Sequence, residues 1–304
     1  MAKPNTIALL MPVHNGLAYT RRTLDSIAKS LKNAERHRYE VRIVVIDDGS
    51  SDNTYEWIHA NYPKIIVIRG DGNLWWSGSV NKGIRAAEER YTPAYYLLWN
   101  NDLVMAEEFF KCLFNLIGAL PSDTILTSTV YYLNDPKRVF SMGGWFNPIS
   151  GVARVVNTRS CRKEDMNRPI DVDWFGGMGT LIPVSAVGTV GYFDEKQFPQ
   201  YKGDFDFALR AKKAGFRIIA HPDLMVWNDT SQTGFAAKNF SGFVKSFTDR
   251  KSQYNLVENI AFYRRHAHKV FGWYGFAARY FRYCAGFALR RLSRRLPRSG
   301  NAFF

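Results

Sequence analysis

Four short apolar runs recur within the first hundred residues, at Thr6–Met11, Val41–Ile46, Lys64–Ile68 and Tyr95–Trp99. Continuous hydrophobic runs of this length suit strands buried on both faces, as in a parallel sheet. Between them, Leu17–Ala34, Thr54–Tyr62 and Val80–Arg90 carry helical spacing. Strand and helix repeating in this order predict an α/β fold, a mostly parallel sheet with helices on both faces. Beyond Met105 the pattern changes. A helix is expected over Ala106–Ala119, then short strands at Thr124–Leu133, Val139–Phe146 and Gly151–Val156, with Pro, Gly and Asn between them. A helix at Phe205–Ala214 and a returning strand at Phe216–Ala220 follow, and Phe240–Leu296 is helical in period.

In an open α/β sheet, ligands bind beyond the carboxyl ends of the strands. Here those ends read Pro12-Val13-His14-Asn15-Gly16, Asp47-Asp48-Gly49-Ser50, Arg69-Gly70-Asp71-Gly72-Asn73 and Asn100-Asn101-Asp102. Any one could be a turn with a helix cap, as Asp52 before Thr54 would be. Four such ends on one rim point instead to a ligand cleft. One carboxylate of Asp47-Asp48 should face it and could accept hydrogen bonds from a base N–H or a ribose hydroxyl. Asp102 offers the hard oxygen that Mg2+ needs when substrate phosphates supply other ligands. The chain lacks a Gly-x-Gly-x-x-Gly run after the first strand, which argues against a dinucleotide site. It also lacks Gly-x-x-x-x-Gly-Lys-Ser/Thr, which argues against a P-loop.

Gly203-Asp204-Phe205-Asp206 opens the predicted 205–214 helix. Carboxylates spaced i, i+2 point in different directions. Asp206 is the better placed to cap the helix, and Asp204 to face the cleft as a general base. No Ser-His-Asp or Cys-His nucleophile set is evident, and the six histidines show no zinc spacing.

These ordered motifs, with Val45-Ile46-Asp47-Asp48-Gly49-Ser50-Ser51-Asp52-Asn53-Thr54 and Gly203-Asp204-Phe205-Asp206-Phe207-Ala208-Leu209-Arg210, resemble the inverting family-2 glycosyltransferases over about residues 5–235. The resemblance implies a GT-A fold, a Rossmann-like, mostly parallel sheet flanked by helices. The Gly72–Gly83 loop is similar to that of the rhamnosyltransferase-like branch. By resemblance, residues 1–103 form the nucleotide-sugar-binding half of one GT-A domain and residues 104–238 its acceptor-binding and catalytic half, with 239–304 a basic aromatic helical extension. Asp204 would then be the catalytic base. Asp102 would hold Mg2+ or Mn2+ on the diphosphate of the donor. Pro12, His14, Asn15, Asp48, Gly72, Asn73, Trp76, Asn81 and Asn101 would line the donor side, and Trp174, Gly176, Gly177 and Asp206 the acceptor side. The likeness departs at two places. Asn100 stands where the first acid of Asp-x-Asp would be, as it does within the resembling branch. Trp227-Asn228-Asp229 stands where many members carry a metal-binding His, leaving Asn228 or Asp229 to take its place.

The implied activity is inverting transfer of a sugar, with rhamnose suggested by the loop, from a nucleotide diphosphate donor to a glycan or lipid-linked acceptor in cell-surface polysaccharide synthesis. Alternatives are a nucleotidyltransferase, which lacks its expected Gly-rich Arg/Lys loop here, and a non-catalytic sugar-nucleotide or polyanion-binding protein.

Charge sharpens where such an enzyme would sit. The 304 residues carry a net charge of +14, yet ten of the 41 basic residues follow Glu258 with no acid among them, leaving 31 basic against 27 acidic side chains up to and including it. Phe262–Leu296 interleaves aromatics with Arg264, Arg265, Lys269, Arg279, Arg282, Arg290, Arg291, Arg294 and Arg295. Such a segment can pack its aromatics and leave Arg outside, lie on an anionic lipid surface, or bind nucleic acid. Without a nucleic-acid motif, the lipid surface is the expected partner and nucleic acid is not. The longest uncharged run in this tail, Val270–Ala278, falls far short of the roughly 20 residues a bilayer span needs. Three widely spaced cysteines and an N-terminus without a signal-like apolar run suggest the cytoplasm, with the chain peripheral on the inner membrane face.

Overall fold

The computed structural model describes residues 5–34, 39–232, 237 and 239–295. Residues 296–304 of the expected extension, and the side chains of Arg294 and Arg295, lie outside the described part. The chain divides into two compact units, residues 1–146 with 154–233, and residues 147–153 with 234–304.

The first unit begins as repeated strand and helix: β1 (Asn5–Val13), α1 (Leu17–Asn33), β2 (Tyr39–Asp47), α2 (Thr54–Asn61), β3 (Ile66–Arg69), α3 (Trp75–Arg90) and β4 (Pro93–Leu98). β1 pairs in parallel with β2 and β4, and β2 with β3. The continuous apolar runs are explained by burial on both faces. Ile7, Leu9 and Met11 join one core with Leu24 and Ile27 of α1, whereas Ala8 and Leu10 join the other with Val80 and Ile84 of α3. Each large apolar side chain enclosed in this way contributes about 1.5–3 kcal/mol.

The remainder of the sheet is mixed. The chain continues as β5 (Leu103–Met105), α4 (Phe109–Ala119), β6 (Thr124–Tyr132), β7 (Asp135–Ser141), the hairpin β8 (Gly144–Asn147) and β9 (Val152–Val155), which is a separate two-stranded sheet, the single turn α5 (Lys163–Met166), β10 (Ile170–Asp171), β11 (Thr180–Pro183), α6 (Val184–Val190), α7 (Gly203–Lys213) and β12 (Arg217–Asn228). Strand order is β10-β12-β6-β11-β4-β1-β2-β3, with β5 on β12 and β7 on β6. β11 runs antiparallel between β4 and β6. This insertion, the three-residue β5 and the twelve-residue reach of β12 are absent from the sequence reading. The expected strand 139–146 is two strands instead, broken at Gly143, whose φ of +72° turns the chain.

In the second unit, α8 (Phe240–Lys245), α9 (Leu256–His266) and α10 (Trp273–Arg295) pack through their rings. Phe243 stacks on Phe287 at 4.2 Å between centroids, and Tyr254 on Tyr283 at 3.7 Å. Asn239 and Asn255 cap α8 and α9 by accepting from Gly242 N and Glu258 N. Gly275 N donates to Ser150 O at 2.8 Å, pinning the hairpin tip to the start of α10. No helix of the described residues is long and apolar enough to cross a membrane.

Candidate active site

The ends of β1, β2 and β3 are level, since Val13 opposes Asp47 and Asp47 opposes Arg69. Their loops meet on Asp48. Its Oδ1 accepts from Gly72 N at 2.9 Å and its Oδ2 from Trp75 N at 3.0 Å, so this carboxylate holds the 72–75 turn. Any Cβ at Gly70 would lie 2.4 Å from Asp48 Oδ1, which explains glycine there. His14 Nδ1 donates to Asp48 O at 2.6 Å, while Asn15 Oδ1 accepts from Ser51 N at 2.8 Å. Pro12 is half-buried at the end of β1, and Gly72 and Asn73 are exposed. Asp52 serves two helix starts, accepting from Leu17 N and from Thr54. Burial alone would raise its carboxyl, but these donors hold it below the ordinary value.

At the end of β4, Asn100 Oδ1 accepts from Trp76 Nε1 at 2.9 Å. Asn101 turns towards α1, its Nδ2 donating to Thr20 Oγ1 at 3.1 Å. Asp102 lies beside the end of β12, where Asp229 N donates to Asp102 O at 3.1 Å and Leu103 opposes Asn228. The two residues after Trp227 do different things. Asp229 forms an ion pair with Arg22 at 2.7 Å, and Arg22 holds its carboxyl below the usual range. Asn228 is 3% exposed, and its Oδ1 has no hydrogen-bond partner.

Asp102 Oδ1 is likewise enclosed without a partner. Burial pushes the Asp102 carboxyl up to about 6; its own backbone amide and Arg22 pull down, and the nearby Asp229 charge pushes further up. Leaving a buried polar atom unpaired costs about 1–3 kcal/mol, so two such oxygens, one in the turn just before β5 and one in the last residue of β12, fit a cationic guest. Their chemistry, hard and oxygen-only, suits Mg2+ or Mn2+. Among the described residues there is no cluster of three or more His, Cys, Asp and Glu side chains able to hold a metal. A cation here would therefore take its other ligands from substrate and water.

Asp204 stands in the first turn of α7, after Lys202 with φ +69°. Its Oδ1 accepts from Phe205 N at 2.8 Å, and the Gly177 amide also reaches the carboxylate. Burial raises the Asp204 carboxyl above its ordinary value, against the pull of those amides and Lys202. A Cβ at Gly176 would sit 3.8 Å from Asp204 Oδ2, and one at Gly177 would meet the Trp76 ring at 2.1 Å. Trp76 thus touches both Asn100 and Gly177, joining the β4 end to the Asp204 wall. Trp174 is half-buried and stacks on Phe205 at 4.7 Å, on the same side of that wall.

Two expected site residues are placed elsewhere. Asn81 is 1% exposed and is spent on the 193–195 turn, donating to Phe193 O and Glu195 Oε2 and accepting from Phe193 N. Asp206 is fully buried and neither caps α7 nor faces an opening; its Oδ2 accepts from Arg210 Nε at 2.8 Å, and Arg210 also donates to Tyr192 O at 3.0 Å. A polar side chain inside a helix carries no sequence mark of which way it points, so both were legible only as members of a motif. Breaking a buried pair leaves an uncompensated charge, discounted here because Arg210 keeps 23% exposure. Asp206→Ala is therefore expected to lower unfolding free energy by about 2–3 kcal/mol in urea titrations, with the fold otherwise retained.

Residues 8–175 match the model of Glycosyl transferase family 2, more than half of the chain, and the protein belongs to that family. It is similar to an uncharacterized glycosyltransferase of Rickettsia typhi, 25% identical over 256 residues that cover 81% of this chain and 73% of the relative. It is also similar to N-acetylglucosaminyl-diphospho-decaprenol L-rhamnosyltransferase of Mycobacterium tuberculosis, 25% identical over 204 residues, covering 61% of this chain and 66% of that one. Among solved structures, GalNAc-T7 with UDP, GalNAc and Mn2+ superposes with a TM-score of 0.56 at 13% identity, over 90% of this chain and 56% of that one. The fold is GT-A. The chain spans a little over half the length of that structure and just under two thirds of the rhamnosyltransferase.

Proposed function

We propose that the protein transfers a sugar, with inversion, from a nucleoside diphosphate donor to a hydroxyl of a glycan or lipid-linked acceptor in cell-surface polysaccharide synthesis. The observation that carries this is the continuous wall from Asp48 through the 72–75 turn, Trp76, Asn100 and Gly177 to Asp204. It sets a carboxylate of raised pKa opposite a rim of strand ends in a family-2 glycosyltransferase.

In this reading, residues 1–103 bind the donor and residues 104–238 the acceptor. Asp48 keeps the 72–75 turn in place and has a remaining lone pair for a base N–H, with Pro12, His14 and Asn15 beside it. Asp102 and Asn228 would hold a divalent ion, while Arg22 keeps Asp229 occupied. A divalent cation bound there offsets the negative charge that grows on the departing diphosphate. Asp204 takes the proton of the acceptor hydroxyl as that oxygen attacks the anomeric carbon from the face opposite the leaving group. Trp174 and the Gly176–Gly177 backbone present the acceptor to it. L-rhamnose is the first donor sugar to test, given the Gly72–Gly83 loop and the mycobacterial relative. The extension 239–304 places the enzyme on the anionic inner face of the membrane.

Thermal stabilisation by a panel of nucleotide sugars, with and without Mn2+, tests donor class. One donor should raise the melting temperature more with Mn2+ than without. The base must be deprotonated to work, so at saturating metal turnover should fall as pH drops through a pKa above the usual carboxylate range and level off above it. A profile set by an ordinary carboxylate would contradict the burial argument.

A further inference from the structure

The second unit has an apolar face that its own packing does not use. α10 presents Tyr280, Tyr283 and Phe287 inward, where they meet Phe243, Phe247 and Tyr254. Tyr280 and Tyr283 hydroxyls are satisfied there as well, on Tyr254 O and Ser246 Oγ at 2.8 Å each. On the other side, Tyr274, Ala277, Phe281 and Ala288 follow one another at i, i+3, i+7 and i+14, and all are exposed. Tyr274 is 68%, Phe281 74% and Leu289 65% open to solvent. A helix with apolar residues on both sides has one side too many for a water-bathed surface.

The borders of this stripe decide its partner. Arg282 and Arg291 flank it on its two sides, both exposed, and the chain has no acid from residue 259 onward. A protein groove accepting Phe281 would not call for cationic margins on both sides, whereas an anionic lipid surface does: aromatic rings enter the acyl boundary while guanidinium groups meet the headgroups. The helix is too charged to span, so it lies in the plane of the surface. Val270 and Phe271, 68% and 64% exposed just before α10, prolong the apolar strip at its N-terminal end.

We infer that the Tyr274–Phe281–Leu289 face of α10 is the membrane-inserting surface of this protein, with Arg282 and Arg291 as its headgroup contacts. This rests on the peripheral-membrane reading above and adds which face enters the lipid. The test uses the full chain in flotation with vesicles of phosphatidylcholine containing phosphatidylglycerol, against phosphatidylcholine alone. Phe281→Glu, at an exposed position, should leave melting unchanged and weaken binding to the anionic vesicles about tenfold or more. Arg282→Ala should weaken it about fivefold, an effect that vanishes at high salt. A second measurement labels Cys284, exposed on the same side of α10, with an environment-sensitive dye after Cys112 and Cys161 are changed to Ser. Its emission should shift to the blue on the anionic vesicles only.

If the unaltered chain ignores anionic vesicles, both the peripheral reading and the face assignment fall. If it binds them but Phe281→Glu and Tyr274→Ser bind equally well, the face assignment alone falls. If those variants leave vesicle binding unchanged and abolish self-association in sedimentation, the stripe joins two copies of the chain and the inference is overturned.

Discussion

Asp204→Asn is expected to lower turnover by about a thousandfold while the donor still binds with its wild-type affinity. The substitution keeps the shape of the side chain and an acceptor oxygen for the Phe205 amide, and removes the charge and with it the ability to take a proton. Amides at a helix start stabilise negative charge, so a carboxylate whose pKa is nonetheless raised is one whose burial outweighs them. That combination suits a group that must be charged at rest and accept a proton at the moment of attack. Equilibrium binding of the nucleotide sugar, measured by calorimetry beside the rate, separates the two effects. Near-normal turnover in the variant would remove Asp204 from the chemistry.

Asp102→Ala is the second large effect. It should abolish Mn2+ binding to the enzyme–nucleotide complex and cut donor affinity by a hundredfold or more, as expected when an ion worth several kcal/mol loses its anchoring carboxylate. Asn228→Ala should weaken the ion less, since a neutral oxygen is lost, and Asn228→Asp should restore or tighten it. Arg22→Ala is the informative control. It frees Asp229, whose charge then lies beside Asp102, so an effect opposite in kind to Asn228→Ala is expected: tighter metal and a less stable fold. Electron paramagnetic resonance of Mn2+ reads these changes without any turnover. Unaltered Mn2+ affinity in both Asp102→Ala and Asn228→Ala would place the ion elsewhere.

Much of this was legible in the sequence because the strands that build the rim are buried on both sides. Thr6–Met11, Val41–Ile46 and Tyr95–Trp99 have no polar alternation to confuse their period, and each stops at a polar motif where the sheet ends. The family likeness to the inverting glycosyltransferases rests on those same ends and is matched over residues 8–175. What local pattern could not supply was pairing at a distance. Thr180–Pro183 is a four-residue buried strand between two longer ones, and Leu103–Met105 is a strand only because β12 runs past it. The same long-range pairing separates Asn228 from Asp229: the sequence leaves either one to replace the metal-binding His, and the structure pairs Asp229 with Arg22 while the Asn228 oxygen, opposite Leu103, has no partner. Trp75 shows a subtler limit. Its φ of +57° and its amide on Asp48 start α3 five residues before the apolar spacing does.

The most direct test of the account is the anomeric configuration of the newly formed glycoside, read by nuclear magnetic resonance before it can equilibrate. A single displacement with Asp204 as base predicts inversion relative to the donor. Retention would contradict it, because retention requires either a covalent intermediate or attack from the leaving-group face.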